Sequence, residues 1–197
     1  MSKKKHKTRM SKEQKAARQR PVVETTASKA VAAQRREMPQ SNLKSHPFWF
    51  YLIMIAIIVA IDQCLKLLVE SNIAVGAKVY IVEQYLVLTN VHNTGAAFSF
   101  LADQPQVIMG VTSAIVAVGF YFLFVFRGNP LMQTFISLIL GGANGNLLDR
   151  MTHGYVIDYI DINIIPVFNF ADICVTVGTL FLCIVITALS RGGSRRG

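Results

Sequence analysis

Twenty consecutive residues, Val107 to Phe126, carry no charged side chain. A run of that length and character crosses a bilayer as a helix, because hydrocarbon offers backbone N–H and C=O groups no water to bond with. Residues 47–69, 131–150 and 172–189 share this character with short polar interruptions. Of the 197 residues 52% are apolar and 16% charged, a balance foreign to ordinary soluble domains. The expected fold is therefore an all-α membrane protein with four transmembrane helices at about those four positions. Pro47 suits the start of the first, where its missing N–H matters least. Phe48, Trp49, Phe50 and Tyr51 then supply an aromatic belt at one interface.

The connections divide by composition. Residues 1–46 hold thirteen Lys/Arg against three Glu, which concentrates the net charge of +9 there. Such a stretch cannot bury a core, and it reads as a disordered basic cytoplasmic tail. A solvated tail accounts for the charge, so no nucleic-acid partner is expected. Residues 70–105 are β-rich, with Val79–Val82 and Tyr85–Thr89 as candidate strands of a small extracytoplasmic sheet at the membrane surface. Residues 151–171 read as an outer loop, and 191–197 as a second short basic tail. Outside the tails, Arg127 falls in the short turn after the second span, while Lys78 is the one Lys/Arg of segments 70–105 and 151–171. That bias places both termini in the cytoplasm.

Within this apolar frame the polar residues stand out. Asp158 and Asp172 lie fourteen positions apart, the second at the mouth of the last span. A carboxylate there is costly unless protein or water accommodates it. If the pair meets, like charges prevent joint ionisation, leaving one acid and one base. The plainer alternative makes Asp172 a helix cap and Asp158 a loop charge. Asp62 and Lys66 are four apart on one helix face and can pair, with Lys66 snorkelling to the interface in the simplest picture. Asn93 precedes Gly95, in a segment whose small residues permit close backbone approach. Asn146, Asp149 and Arg150 end the third span behind Gly141, Gly142 and Gly145. With both termini inside, all these groups reach the outer ends of spans, which describes one site.

Other chemistries find little support. Cys64, Cys174 and Cys183 have no paired spacing, and His6, His46, His92 and His153 are scattered, so no metal or other cofactor is expected. Ser99 has only His92 nearby in sequence and no acid to orient it. An ion-coupled transporter or channel would spread its polar groups through the depth of the spans, and a structural scaffold would not need the aspartate pair.

The polar segments together resemble the signal peptidase II (lipoprotein signal peptidase) family. The resemblance rests on Asp62-Gln63-x-x-Lys66, Asn93 to Ser99, Gly141-Gly142-Ala143-x-Gly145-Asn146-Leu147-x-Asp149-Arg150, Val156-x-Asp158-Tyr159 and Phe168-Asn169-x-Ala171-Asp172, in that order over residues 48–190. It implies an aspartic endopeptidase of the bacterial inner membrane, acting on prolipoproteins just before a diacylglyceryl-modified cysteine and in contact with membrane lipids. The catalytic pair would be Asp158 and Asp172. Asn93, Gly95, Asn146, Arg150 and Asn169 would support substrate and pair, and Asp62, Lys66 and Asp149 would hold the architecture. The chain departs from the family pattern in a shorter segment between the aspartates, in Leu65, and in its long basic tail.

Overall fold

The computed structural model describes residues 46–83, 85–95 and 105–193. Four helices carry the fold: α1 (Phe48–Asn72), α2 (Pro105–Val125), α3 (Pro130–Thr152) and α4 (Phe170–Gly193). Strands β1 (Lys78–Val82) and β2 (Leu86–Asn93) follow α1, and β3 (Val156–Asp161) lies between α3 and α4. The expected basic tail falls outside the described residues, as does the segment Ala96–Ser99.

Helices α1, α2 and α4 are long and apolar enough to cross a membrane. Helix α3 has 23 residues. At 1.5 Å each that is about 34 Å, long enough to span. Its lower hydropathy follows from its place: it packs against all three other helices and turns Gln133, Ser137, Asn146 and Asp149 inward. The burial of α1 repeats at Tyr51, Ile55, Ile58, Asp62, Lys66 and Val69, a single stripe that begins apolar and ends charged. Outside the stripe, Trp49, Ile53, Ile57 and Leu68 are exposed, as lipid-facing side chains require.

Glycines set the spacing of α3 at its polar end. A Cβ at Gly142 would strike the Ala171 carbonyl oxygen, and one at Gly145 would strike the Asp62 carboxylate. Close helix contact there needs residues without side chains. At the opposite end Asn129 caps α3, accepting from the Met132 amide at 3.2 Å, with Pro130 in the first helical position. Arg127 lies over the rings of Phe48 and Phe124, 5.3 Å from each centroid.

The three strands form an antiparallel sheet in the order β1-β2-β3. Segment 151–171, expected as a loop, thus contains a strand, and β2 runs on through Asn93. Leu88 pairs with Ile160 and Val91 with Asp158, so β2 holds one more residue than β3 between those pairs. This bulge buries the consecutive residues Thr89 and Asn90. Thr89 donates to the Ala77 carbonyl at 2.8 Å and Asn90 to the Ile73 carbonyl at 2.9 Å, tying the sheet to the chain leaving α1. Ile157 and Tyr159 pack on Val69 and Ile73, seating β3 against the end of α1.

Candidate active site

Alternation along β3 decides where Asp158 points. Its neighbours Ile157 and Tyr159 pack on α1, so the residue between them faces the other way. There Asp158 is 2% exposed and accepts hydrogen bonds on both oxygens, from Asn169 Nδ2 and Asn93 Nδ2, each at 2.7 Å. Asn93 comes from the end of β2, and its Oδ1 accepts from the Gly95 amide at 2.8 Å, Gly95 having φ +115°. Burial, the main cause, pushes Asp158 up to about 6, and the nearby Asp172 charge adds to the rise. The Asn93 and Asn169 donors oppose it.

Asp172 arrives by a different device. Phe168 pairs with Ile160 along the free edge of β3, which delivers Asn169 beside Asp158. Asn169 then caps α4. Its Oδ1 accepts from the Asp172 amide at 2.9 Å, and Asp172 Oδ2 accepts from the Asn169 amide at 3.1 Å. This reciprocal arrangement is a capping box, with Asp172 as its third helical residue. The capping role and a place at the site are therefore compatible, because the cap uses one carboxylate oxygen. The other accepts from Asn146 Nδ2 at 2.8 Å.

Beneath the two carboxyls lies a buried charged cluster. Lys66, 1% exposed, spends its three N–H donors on Asp62 Oδ2 at 2.7 Å, Asp149 Oδ2 at 2.7 Å and Asn146 Oδ1 at 2.8 Å. It turns inward rather than snorkelling to the interface. Asp62 Oδ1 accepts from the Ala171 amide at 3.0 Å, anchoring the first turn of α4 to α1. Asp149 Oδ2 also accepts from the Ile157 amide at 3.2 Å, anchoring β3 to α3. Arg150 shares this end of α3, and Nη1 donates to the Asn146 carbonyl at 3.3 Å. Among the described residues it forms no ion pair.

The structure thus joins Asp62, Lys66, Asn93, Asn146, Asp149, Asp158, Asn169 and Asp172 in one hydrogen-bonded network, with Gly95 and Arg150 at its margin. Gln63, part of the Asp62-Gln63-x-x-Lys66 motif but given no role there, belongs to it too. Its Nε2 donates to Asp149 Oδ1 at 2.7 Å. The available signal was an uncharged amide beside Asp62 and before Lys66, at the polar end of a long apolar run. Ser99 lies outside the described residues.

A model of the family described as "Signal peptidase (SPase) II" matches residues 54–188. The lipoprotein signal peptidase of Lactiplantibacillus plantarum is 42% identical over 138 residues, 69% of this chain and 93% of its own length. That of Moorella thermoacetica is 39% identical over 137 residues, covering 68% and 89%. A solved bacterial membrane enzyme is 30% identical with a TM-score of 0.67, over 74% of this chain and 92% of the other.

Proposed function

This chain belongs to the signal peptidase II family, and we propose that it releases signal peptides from prolipoproteins by cutting before a diacylglyceryl-modified cysteine, with Asp158 and Asp172 as its acid–base pair. One observation carries the assignment: Asn169 donates to both carboxyls, its side chain to Asp158 and its backbone to Asp172. Two separately built segments, a strand and a capped helix, are thereby locked to one residue.

Asp158, pushed up to about 6 by burial, is the acid of the pair, and Asp172 acts as the base. Asp172 takes a proton from water as the water oxygen attacks the scissile carbonyl carbon. Asp158 gives its proton to the carbonyl oxygen, so the tetrahedral intermediate carries no net oxyanion. Asp172 then passes its proton to the leaving nitrogen, the C–N bond breaks, and Asp158 recovers a proton from the collapsing diol. Asn93, Asn146 and Asn169 hold the carboxyl oxygens in place during these transfers. The Arg150 guanidinium, which makes none of the ion pairs among the described residues, is available to a substrate carbonyl.

The Lys/Arg distribution supports a topology with both termini in the cytoplasm and the site near the outer face of the bacterial membrane. A substrate anchored in lipid by an apolar helix and acyl chains presents its cut at that level. The test is to incubate the purified full-length protein with a prolipoprotein carrying or lacking the diacylglyceryl group. Conversion of the modified precursor alone to mature size supports the reading, and equal cleavage of both contradicts the lipid requirement.

A further inference from the structure

His92 and Tyr155 stack face to face, with ring centroids 3.9 Å apart and planes 14° from parallel. Their place in the sheet connects them to the carboxyls. Directly paired residues of antiparallel strands share a face, and successive residues along a strand alternate faces. Val91 pairs with Asp158, His92 with Ile157 and Asn93 with Val156. Asn93 and Asp158 are therefore diagonal neighbours on one face. His92 and Tyr155, just ahead of β3, form a diagonal of the opposite lean on the other. Past the bulge β2 keeps those three register pairs, and Asn93 is its last residue. A side chain aimed from the final residue of a strand needs that strand end held. Tyr155 also stacks on His153, with 5.6 Å between centroids, and the His153 amide donates to the Asp149 carbonyl at 2.8 Å. The rings thus tie the end of β2 to the end of α3. His92 Nε2 is buried with no hydrogen-bond partner among the described residues, and the ring meets Tyr155 by its face.

We propose that the His92–Tyr155 stack holds Asn93 on Asp158, which makes His92 and Tyr155 positioning residues for the hydrolysis. The proposal rests on the prolipoprotein peptidase reading above. Because the stack acts through Asn93, its loss has a chemical signature. The Asn93 donor favours the ionised form of Asp158 and opposes its rise. Weakening that donor raises Asp158 further, so its proton persists to higher pH and the alkaline limb of kcat/KM moves up. Asp172 and Lys66, the other charges acting on Asp158, come from α4 and α1 and are unchanged by substitutions at His92. Loss of folded protein alone lowers the activity and leaves the limb where it was.

The test compares full-length His92→Ala, His92→Phe, Asn93→Ala and the double variant His92→Ala with Asn93→Ala against the parent protein. The substrate is a diacylglyceryl-modified prolipoprotein, and kcat and KM are followed across pH. His92→Ala should lower kcat about tenfold with KM changed less than about twofold. It should also move the alkaline midpoint up by at least about half a pH unit. Asn93→Ala should move the midpoint the same way, and the double variant no further than Asn93→Ala. His92→Phe keeps a stacking ring and should keep the parent midpoint. An unmoved midpoint in His92→Ala, or a double variant whose shift is the sum of the singles, overturns the proposal. His92→Phe behaving like His92→Ala overturns it as well. Carboxyl-carbon NMR of protein with isotope-labelled aspartate reads the same shift without turnover, the Asp158 signal being the one lost in Asp158→Asn. A parent protein that cleaves, with variants whose midpoint does not move, removes the positioning role alone. A parent protein that does not cleave removes the peptidase reading, and the NMR shift then decides whether the stack holds Asn93 on Asp158.

Discussion

Lys66 Nζ and Asn146 Oδ1 stand 2.8 Å apart, and this contact fixes which way the site's amides face. An ammonium only donates, so the Asn146 atom it meets is oxygen, and Asn146 Nδ2 must face Asp172. The same oxygen accepts from Asn169 Nδ2 at 3.0 Å, which leaves Asn169 Oδ1 for the Asp172 amide. One buried cation thereby orients donors toward both carboxyls.

Lys66→Met should therefore be among the most damaging changes away from the pair. It strands the Asp62 and Asp149 carboxylates in a buried setting. Removing one partner of such a cluster costs about 3–5 kcal/mol. Thermal unfolding in detergent micelles reads the loss, and a midpoint within a degree or two of the parent protein contradicts the account.

Asn169 serves folding and chemistry at once. Asn169→Ala removes the α4 cap as well as the Asp158 donor, costing about 1 kcal/mol of stability for the cap. Asn169→Asp retains a capping oxygen but loses the Nδ2 donor. Both variants should lose about 10²-fold in kcat and both should unfold earlier, the aspartate because it sets an acceptor against the Asp158 carboxyl and the Asn146 oxygen. A fully active Asn169→Asp protein removes Asn169 from the mechanism.

The pH profile has a defined sign. Asp158, raised to about 6, keeps its proton below that value and loses it above. The free enzyme then has no acid for the carbonyl oxygen. On the alkaline side kcat/KM should fall about tenfold per pH unit from a midpoint near 6. A profile rising through pH 6–8 would assign the proton to another group.

Gly145→Ala tests the contact between α3 and α1. The new methyl meets the Asp62 carboxylate, which is bound to Lys66 and the Ala171 amide. About 1–3 kcal/mol of destabilisation is expected, together with reduced turnover. Ala substitution at exposed Gly110, whose Cβ would meet nothing within 4 Å, leaves the site untouched and is the comparison for turnover.

Much of this was readable from spacing. The four positions between Asp62 and Lys66 define a shared face, and Asp172 just ahead of an apolar run gives its place at a helix start. The direction in which Lys66 turns was not readable, since the choice between interface and interior depends on Asp149 and Asn146, eighty or more residues away. Nor was β3: Val156-Ile157-Asp158-Tyr159 is buried on both sides, which erases the alternation that marks a half-exposed strand. The bulge at Thr89-Asn90 exists only relative to β3, so β2 alone contains no sign of it.

The central claim is that Asp158 and Asp172 perform the hydrolysis, and turnover of the single variants Asp158→Asn and Asp172→Asn on a diacylglyceryl-modified prolipoprotein tests it most directly. Each should cleave at least about 10³-fold more slowly than the parent protein, while remaining membrane-inserted and unfolding cooperatively. Near-parental turnover in either variant contradicts the assignment.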